Sequence, residues 1–234
     1  MVRTAWIAGV LAVLLAGWPA AASAATPAPP AQPQCRSLEN CYTYAGMPEF
    51  LGQVRGLITD FAAAEYPGLP EPAFRYVPAG AAAPVTCGGV ADSTAFFYCG
   101  LDDTVYIGQD QLYDFYRRTG DGGAAFAVAH EWGHHLQDRA GVLRAATGQV
   151  GRIQSENQAD CIGGAFLGHA RDRGILEPDD YDDIGAILPL IASAESDMNR
   201  DHGTVQERAQ AVQYGFDRGL SGCSGYFPDT PLLV

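Results

Sequence analysis

Residues 130–134 read His-Glu-Trp-Gly-His. Positions i and i+4 of a helix lie about 40° apart around its axis, so the imidazoles of His130 and His134 face one point and can share a metal ion. Imidazole nitrogen suits zinc. Glu131 lies beside that face, within reach of a water on the metal. Zinc lowers the pKa of its bound water to about 7, and a carboxylate so placed takes the proton as the water attacks. The spacing therefore points to one Zn2+ per chain as cofactor, to hydrolysis of an amide as the chemistry, and to Glu131 as general base.

Catalytic zinc needs a third protein ligand and an open position. In metzincins a glycine and a third histidine follow the motif at fixed distances; Gln137 and Ala140 stand at those places, which excludes that class. The remaining choice is a glutamate on a later helix. Glu156-Asn-Gln-Ala-Asp160 supplies one, with Glu156 and Asp160 at i and i+4 on a shared face. Glu156 is expected to bind zinc, and Asp160 to accept a hydrogen bond from the second ring nitrogen of a ligand histidine. Of the other histidines, His135 points about 100° away from His134 and is expected to be structural or exposed. His169 is expected at a helix end. His202, in Asp-His-Gly-Thr at a helix entrance, is the candidate to reach over the metal and stabilise an oxyanion.

The elements that must position these residues follow from periodicity. Phe50, Val54, Leu57, Ile58 and Phe61 recur at helical spacing and predict a helix from Pro48 to Tyr66, stopped by Pro67-Gly68. Residues 73–77 predict a short strand. Aromatic and β-branched runs at 94–99 and 104–107 flank Gly-Leu-Asp-Asp and predict a hairpin. Asp110 is expected to cap a helix running to about Arg118, and Asp121 to cap the next, which carries His130 and His134 and ends at Gly141. Gly133, in the middle of that helix, costs about 1 kcal/mol against Ala, which makes sense where another backbone comes close. A further helix is expected from between Gln149 and Ser155 to Arg173; Gly163 and Gly164 on it again suggest close approach. Two more are expected at about 179–196 and 204–219, the last opened by the capping box Thr204-Val-Gln-Glu207. The fold class is α+β: a mainly helical, zincin-like domain with a small sheet and hairpin before the metal helix.

The 234 residues carry 14 Lys+Arg, all of them arginine, against 27 Asp+Glu. That acidic balance argues against nucleic acid or an anionic membrane as partner. Residues 1–24 read as a signal peptide: Arg3, an apolar run from Ala5 to Gly17, and Ala22-Ser23-Ala24 as cleavage site. The run is well short of the roughly 20 residues that span a bilayer, so no stable membrane anchor is expected. Residues 25–34 form a Pro/Ala-rich linker, and 35–234 are expected to be a single domain. Export places Cys35, Cys41, Cys87, Cys99, Cys161 and Cys223 in an oxidising compartment. Six cysteines allow 15 pairings; neighbour logic suggests Cys35–Cys41 and Cys87–Cys99, leaving Cys161–Cys223.

Taken together, Phe97-Tyr-Cys99, Thr104-Val-Tyr-Ile107, Ala129-His-Glu-Trp-Gly-His-His-Leu-Gln137, Glu156-Asn-Gln-Ala-Asp-Cys161 and His202-Gly203-Thr204 with Arg208 resemble the putative neutral zinc metallopeptidase family of bacteria, in the broader gluzincin class. The likeness covers about Cys87 to Cys223. It implies His130, His134 and Glu156 as zinc ligands and Glu131 as catalytic base. Two places depart from it: Trp132 stands where an aliphatic residue is expected, and 194–197 lack the Gly-Asp character of that stretch. The function expected is that of a secreted zinc-dependent peptidase acting on peptide or protein substrates. The alternative is a zinc-stabilised binding or scaffold protein without catalysis, for which a carboxylate beside the histidines has no use.

Overall fold

The computed structural model describes residue 35 and residues 38–232; the signal peptide and linker expected at 1–34 lie outside the described residues. Helix α1 (Met47–Glu65) follows a 3-10 turn at Tyr44–Gly46. Pro48 sits in its first turn, where the missing N–H costs nothing. Phe50, Leu51, Val54, Ile58 and Phe61 bury one stripe against the core, and Tyr66 leaves helical geometry just before Pro67.

Five strands follow: β1 (Ala73–Val77), β2 (Ala83–Pro84), β3 (Val90–Ala91), β4 (Phe96–Cys99) and β5 (Thr104–Gly108). The expected hairpin is β4 against β5, antiparallel, with Phe96 opposite Ile107. Its turn places Asp103 at φ 51°. The register of β1 was not readable from local sequence: it lies parallel to β5, Ala73 beside Thr104, giving the order β1-β5-β4. β5 is central and buried along its whole length, whereas β2 and β3 pair separately as a small ribbon.

Helix α2 (Gln109–Ala140) directly continues β5 and joins the two helices expected there. Gly120, at φ 79° and ψ −178°, is the break between them. Neither expected aspartate cap forms. Gly108 holds the first N-cap position, and the Asp110 carboxylate instead receives the hydroxyls of Ser93 and Tyr44, each at 2.5 Å. The Asp121 carboxylate has no hydrogen-bond partner. At that break the N–H of Gly122 donates to Asp183 Oδ2, 3.3 Å away. Trp132 is buried and packs edge-to-face on Phe61 of α1 with ring centroids 5.8 Å apart, which accommodates its bulk.

A short turn α3 (Val142–Ala145) leads to α4 (Gly148–Asp172), the second helix of the site. A Cβ at Gly133 would stand 3.3 Å from the Cα and carbonyl oxygen of Ala159, so glycine lets α2 and α4 lie backbone against backbone. Helix α5 (Asp180–Ile191) ends five residues before the expected Ser196. Ala192 turns extended and the Ser193 N–H pairs with the Gly203 carbonyl, closing a loop that returns the chain to the site. Helix α6 (Val205–Cys223) opens on the expected capping box, with both Thr204 and Glu207 bonds present. It passes through a break at Gly219 rather than ending there. α4 and α6 also approach closely: a Cβ at Gly215 would collide with the Cys161 carbonyl, and one at Gly164 with that of Val212. Disulfides join Cys35–Cys41, Cys87–Cys99 and Cys161–Cys223. No helix among the described residues is long and apolar enough to cross a membrane.

Candidate metal centre

His130 and His134 project from the second half of α2, and Glu156 meets them from α4. One donor atom of each lies within 4.8 Å of the others. His130 Nε2 is 3.4 Å from Glu156 Oε2, and His134 Nε2 is 3.4 Å from Glu156 Oε1. Tetrahedral zinc bonded at about 2.0–2.1 Å keeps its ligands about 3.3–3.4 Å apart, so these residues fit that ion. Glu156 Oε2 is buried without a hydrogen-bond partner, an orphaned acceptor that a cation would satisfy.

The far nitrogens of both rings are engaged, and this sets their tautomers. His130 Nδ1–H donates to Asp160 Oδ1 at 2.9 Å; a carboxylate can only accept, so the proton sits on Nδ1. His134 Nδ1 lies 2.8 Å from Gln137 Oε1. Gln137 Nε2 donates to the Ser155 carbonyl and to Gln158 Oε1, so its carbonyl oxygen faces His134 and accepts. Gln158 Nε2 in turn donates to the Cys223 carbonyl at 3.0 Å. Both Nε2 atoms are thereby left to present a lone pair toward Glu156. Asp160 is fully buried and held by Arg208, whose Nη2 donates to Oδ1 at 2.7 Å.

Without a metal, protons take the place of the cation. Burial lowers the His130 pKa, but the hydrogen bond to Asp160 and the nearby Glu156 carboxylate outweigh it and push it up to about 10. His134 is raised for the same reason, against burial, by the charge of Glu156 and a hydrogen bond to it. Burial raises Glu156, yet the two imidazoles hold it well below the carboxylate range. Glu131 moves the other way: burial raises its pKa, partly offset by His130 and His134.

These side chains open into a cavity of about 240 Å³. Phe96, Phe115, Ala127 and Ile191 form its apolar walls; His130, Glu131, His202 and Arg208 supply the polar groups. The loop after α5 brings His202 to the rim, with Nε2 3.4 Å from Glu156 Oε2 and Nδ1 2.9 Å from Asp201 Oδ1. His130, Glu131, His134, Glu156, Asp160 and His202, the residues expected to act at the metal, thus meet at one place. His135 does not: it is buried on the opposite side, bonded to Asp103 and the Pro70 carbonyl. His169 sits in the last turn of α4 against Phe61.

Two contributors escaped the sequence reading. Gln137 was noted only as failing the metzincin pattern, although its place three residues after His134 is the signal that a helix neighbour could hold that ring. Arg208 was noted without a role; a fully buried arginine can be recognised only once its carboxylate partner is known.

Residues 80–225 match the putative neutral zinc metallopeptidase family. Among curated proteins, the chain is 29% identical over 155 residues to Uncharacterized protein YpfJ of Escherichia coli K12, covering 57% of this chain and 54% of that one. It is 30% identical over 161 residues to Uncharacterized protein Rv2575 of Mycobacterium tuberculosis H37Rv, covering 57% and 55%. The chain spans about half the length of these relatives. No solved structure matches it. With the matched segment running from β2 to the end of α6 and enclosing all of the converging side chains, the chain belongs to the putative neutral zinc metallopeptidase family.

Proposed function

We propose that the protein is an exported zinc-dependent peptidase in which His130, His134 and Glu156 hold one Zn2+ and Glu131 is the general base. The observation that carries this reading is the convergence of three donors within 4.8 Å of one another, each imidazole 3.4 Å from Glu156, beside a half-buried carboxylate. Bound there, Zn2+ supplies a Lewis acid and a water acidified to a pKa of about 7. The remaining work falls to the chain. Glu131 takes the proton of the attacking water and delivers it to the leaving amine; burial, which strengthens its hold on a proton, suits the first half of that transfer. His202 directs Nε2 into the site from the rim, its ring oriented by a bond from Nδ1–H to Asp201; as an imidazolium it also carries an Nε2–H, which donates to the carbonyl oxygen as it gains charge. Asp160 and Gln137 fix the ligand rings.

The apolar walls accept a substrate side chain and keep bulk water from the reacting bond. β4 is an edge strand of its sheet, and Phe96 at its start lines the cavity. An extended peptide or protein substrate laid along that edge would run past Glu131. Three disulfides and the N-terminal signal pattern support export, with the mature chain beginning after Ala24.

The test pairs metal analysis of purified mature protein with degradation of an unstructured protein, with chelator and after zinc is restored. One zinc per chain and chelator-sensitive degradation are expected. Glu131→Gln should retain zinc and lose hydrolysis by about 10²–10⁴-fold or more, since the amide keeps shape but cannot take the proton. Zinc without any turnover in the wild type would make the ion structural. Full metal occupancy in both His130→Ala and His134→Ala would remove the ligand assignment.

A further inference from the structure

A second group of carboxylates meets where α2 breaks. Asp121 follows Gly120, and it faces Asp180 and Asp183 from the first turn of α5, with one oxygen of each within 4.8 Å of the others. Asp121 is 0% exposed and Asp180 1%. Asp180 Oδ2 accepts the Glu177 N–H at 2.6 Å and Asp183 Oδ2 the Gly122 N–H at 3.3 Å. Both oxygens of Asp121, and Oδ1 of Asp180, are buried with no partner. Among the described residues, no arginine forms an ion pair with any of the three. Their charged neighbours Glu177, Asp179 and Asp182 are acids as well.

Backbone N–H groups account for one oxygen each of Asp180 and Asp183 but for neither oxygen of Asp121, which is enclosed with its carboxylate toward the other two. Burying carboxylates unpaired and side by side is costly, and such groups in folded proteins are ordinarily paired or bound to an ion. The backbone is shaped around the cluster. A Cβ at Gly120 would strike the Asp183 carboxylate, and one at Gly122 would come within 2.6 Å of Asp180 Oδ1. Glycine at these places lets the carboxylates seat against the chain.

We propose that Asp121, Asp180 and Asp183 form a structural Ca2+ site that ties the broken helix α2 to the start of α5. The donors are all oxygen, which favours a hard cation over zinc. Calcium binds oxygens at about 2.3–2.6 Å, so donors on opposite sides of it are about 5 Å apart, close to the span of this group. Three carboxylates supply the six oxygens that calcium needs at least only by binding through both oxygens each, which its flexible coordination accepts and the near-ideal octahedron demanded by magnesium does not. The site stands about two and a half turns before His130, so the ion would anchor the half-helix that carries both ligand histidines without touching the cavity.

The experiment uses zinc-loaded mature protein freed of calcium, titrated with CaCl₂ by calorimetry and melted with and without it. One Ca2+ per chain is expected. At calcium about 100-fold above the dissociation constant, Tm should rise by about 5–10 °C. MgCl₂ at the same concentration should give a smaller shift. Asp121→Asn should lose the calcium heat and the calcium-dependent Tm shift while keeping one zinc. A wild type with neither heat nor Tm shift up to about 10 mM calcium, past the weakest extracellular sites, overturns the proposal. That result is read on the wild type alone and stands even if the variant fails to fold.

Discussion

On the zinc reading, His130 and His134 are held by different chemistry, and this makes them separable by mutation. His130 donates to a buried carboxylate that Arg208 also grips, whereas His134 donates to a neutral amide. A carboxylate partner raises the basicity of the imidazole more than an amide does. Asp160→Asn should weaken zinc binding about 10–100-fold, measured by competition with a chromophoric chelator. Gln137→Leu should weaken it by less, because Nδ1–H loses a neutral acceptor. Loss of zinc as complete with Asp160→Asn as with Glu156→Ala would mean that Asp160 is the metal ligand. The histidines, Glu131, Glu156 and Asp160 could be singled out from the sequence because helical spacing alone puts each pair on one face. Arg208 acts on a partner from another helix, which local spacing does not reveal; Gln137 is local to His134, but the bonds that turn its carbonyl toward that ring come from Ser155 and Gln158 on α4.

At the scale of elements, the two helices of the site are set by glycine. Gly133 admits the α4 backbone to α2, and Gly215 and Gly164 do the same between α4 and α6. Such contacts leave no room for one more methyl group. Gly215→Ala, which places a Cβ against the Cys161 carbonyl, should cost about 1–3 kcal/mol, visible as a fall of several degrees in Tm with the zinc ligands untouched. An unchanged Tm would mean that α6 can shift away freely. Helix α1, the β4–β5 hairpin and the capping box of α6 could be read from the chain because each rests on neighbours in sequence. The parallel pairing of β1 with β5 could not, since it joins segments with the β2–β3 ribbon and β4 between them. The early end of α5 was hidden too: it depends on a Ser193–Gly203 bond across a loop.

Across the whole molecule, the longest covalent loop is closed by Cys161–Cys223, whose partners are 62 residues apart. On chain-entropy grounds such a loop is worth about 4 kcal/mol, against about 2.4 for the short Cys35–Cys41 loop. The pair Cys161→Ala/Cys223→Ala should therefore lower stability to denaturant more than Cys35→Ala/Cys41→Ala; the reverse ranking would count against the entropic account. The carboxylate cluster at the break of α2 has its own signature in calcium-free buffer. Burial pushes Asp121 up to about 7, and the charge of Asp180 adds to it. The native state then binds more protons than the unfolded chain, so that contribution is present below about pH 4 and is lost as pH rises to about 7. Melting from pH 4 to 8 should show wild type losing stability relative to Asp121→Asn as pH rises; parallel curves would show that Asp121 keeps an ordinary affinity for protons. The cluster was invisible in the sequence because its members come from two helices that meet only in the folded chain.

The amide relay from His134 through Gln137 and Gln158 ends on the carbonyl of Cys223, which is itself half of a disulfide. On the zinc reading, this couples metal uptake to oxidation of the thiols. A chain with Cys223 still free lacks one tether at the end of α6, so the Gln158 branch of the relay is held less firmly and Gln137 relies on the Ser155 carbonyl. Closing the bond seats the last acceptor, and the ring is then locked to receive a metal. Oxidation so becomes a step that favours metal binding: the reduced chain should hold zinc less tightly than the chain with Cys161–Cys223 closed.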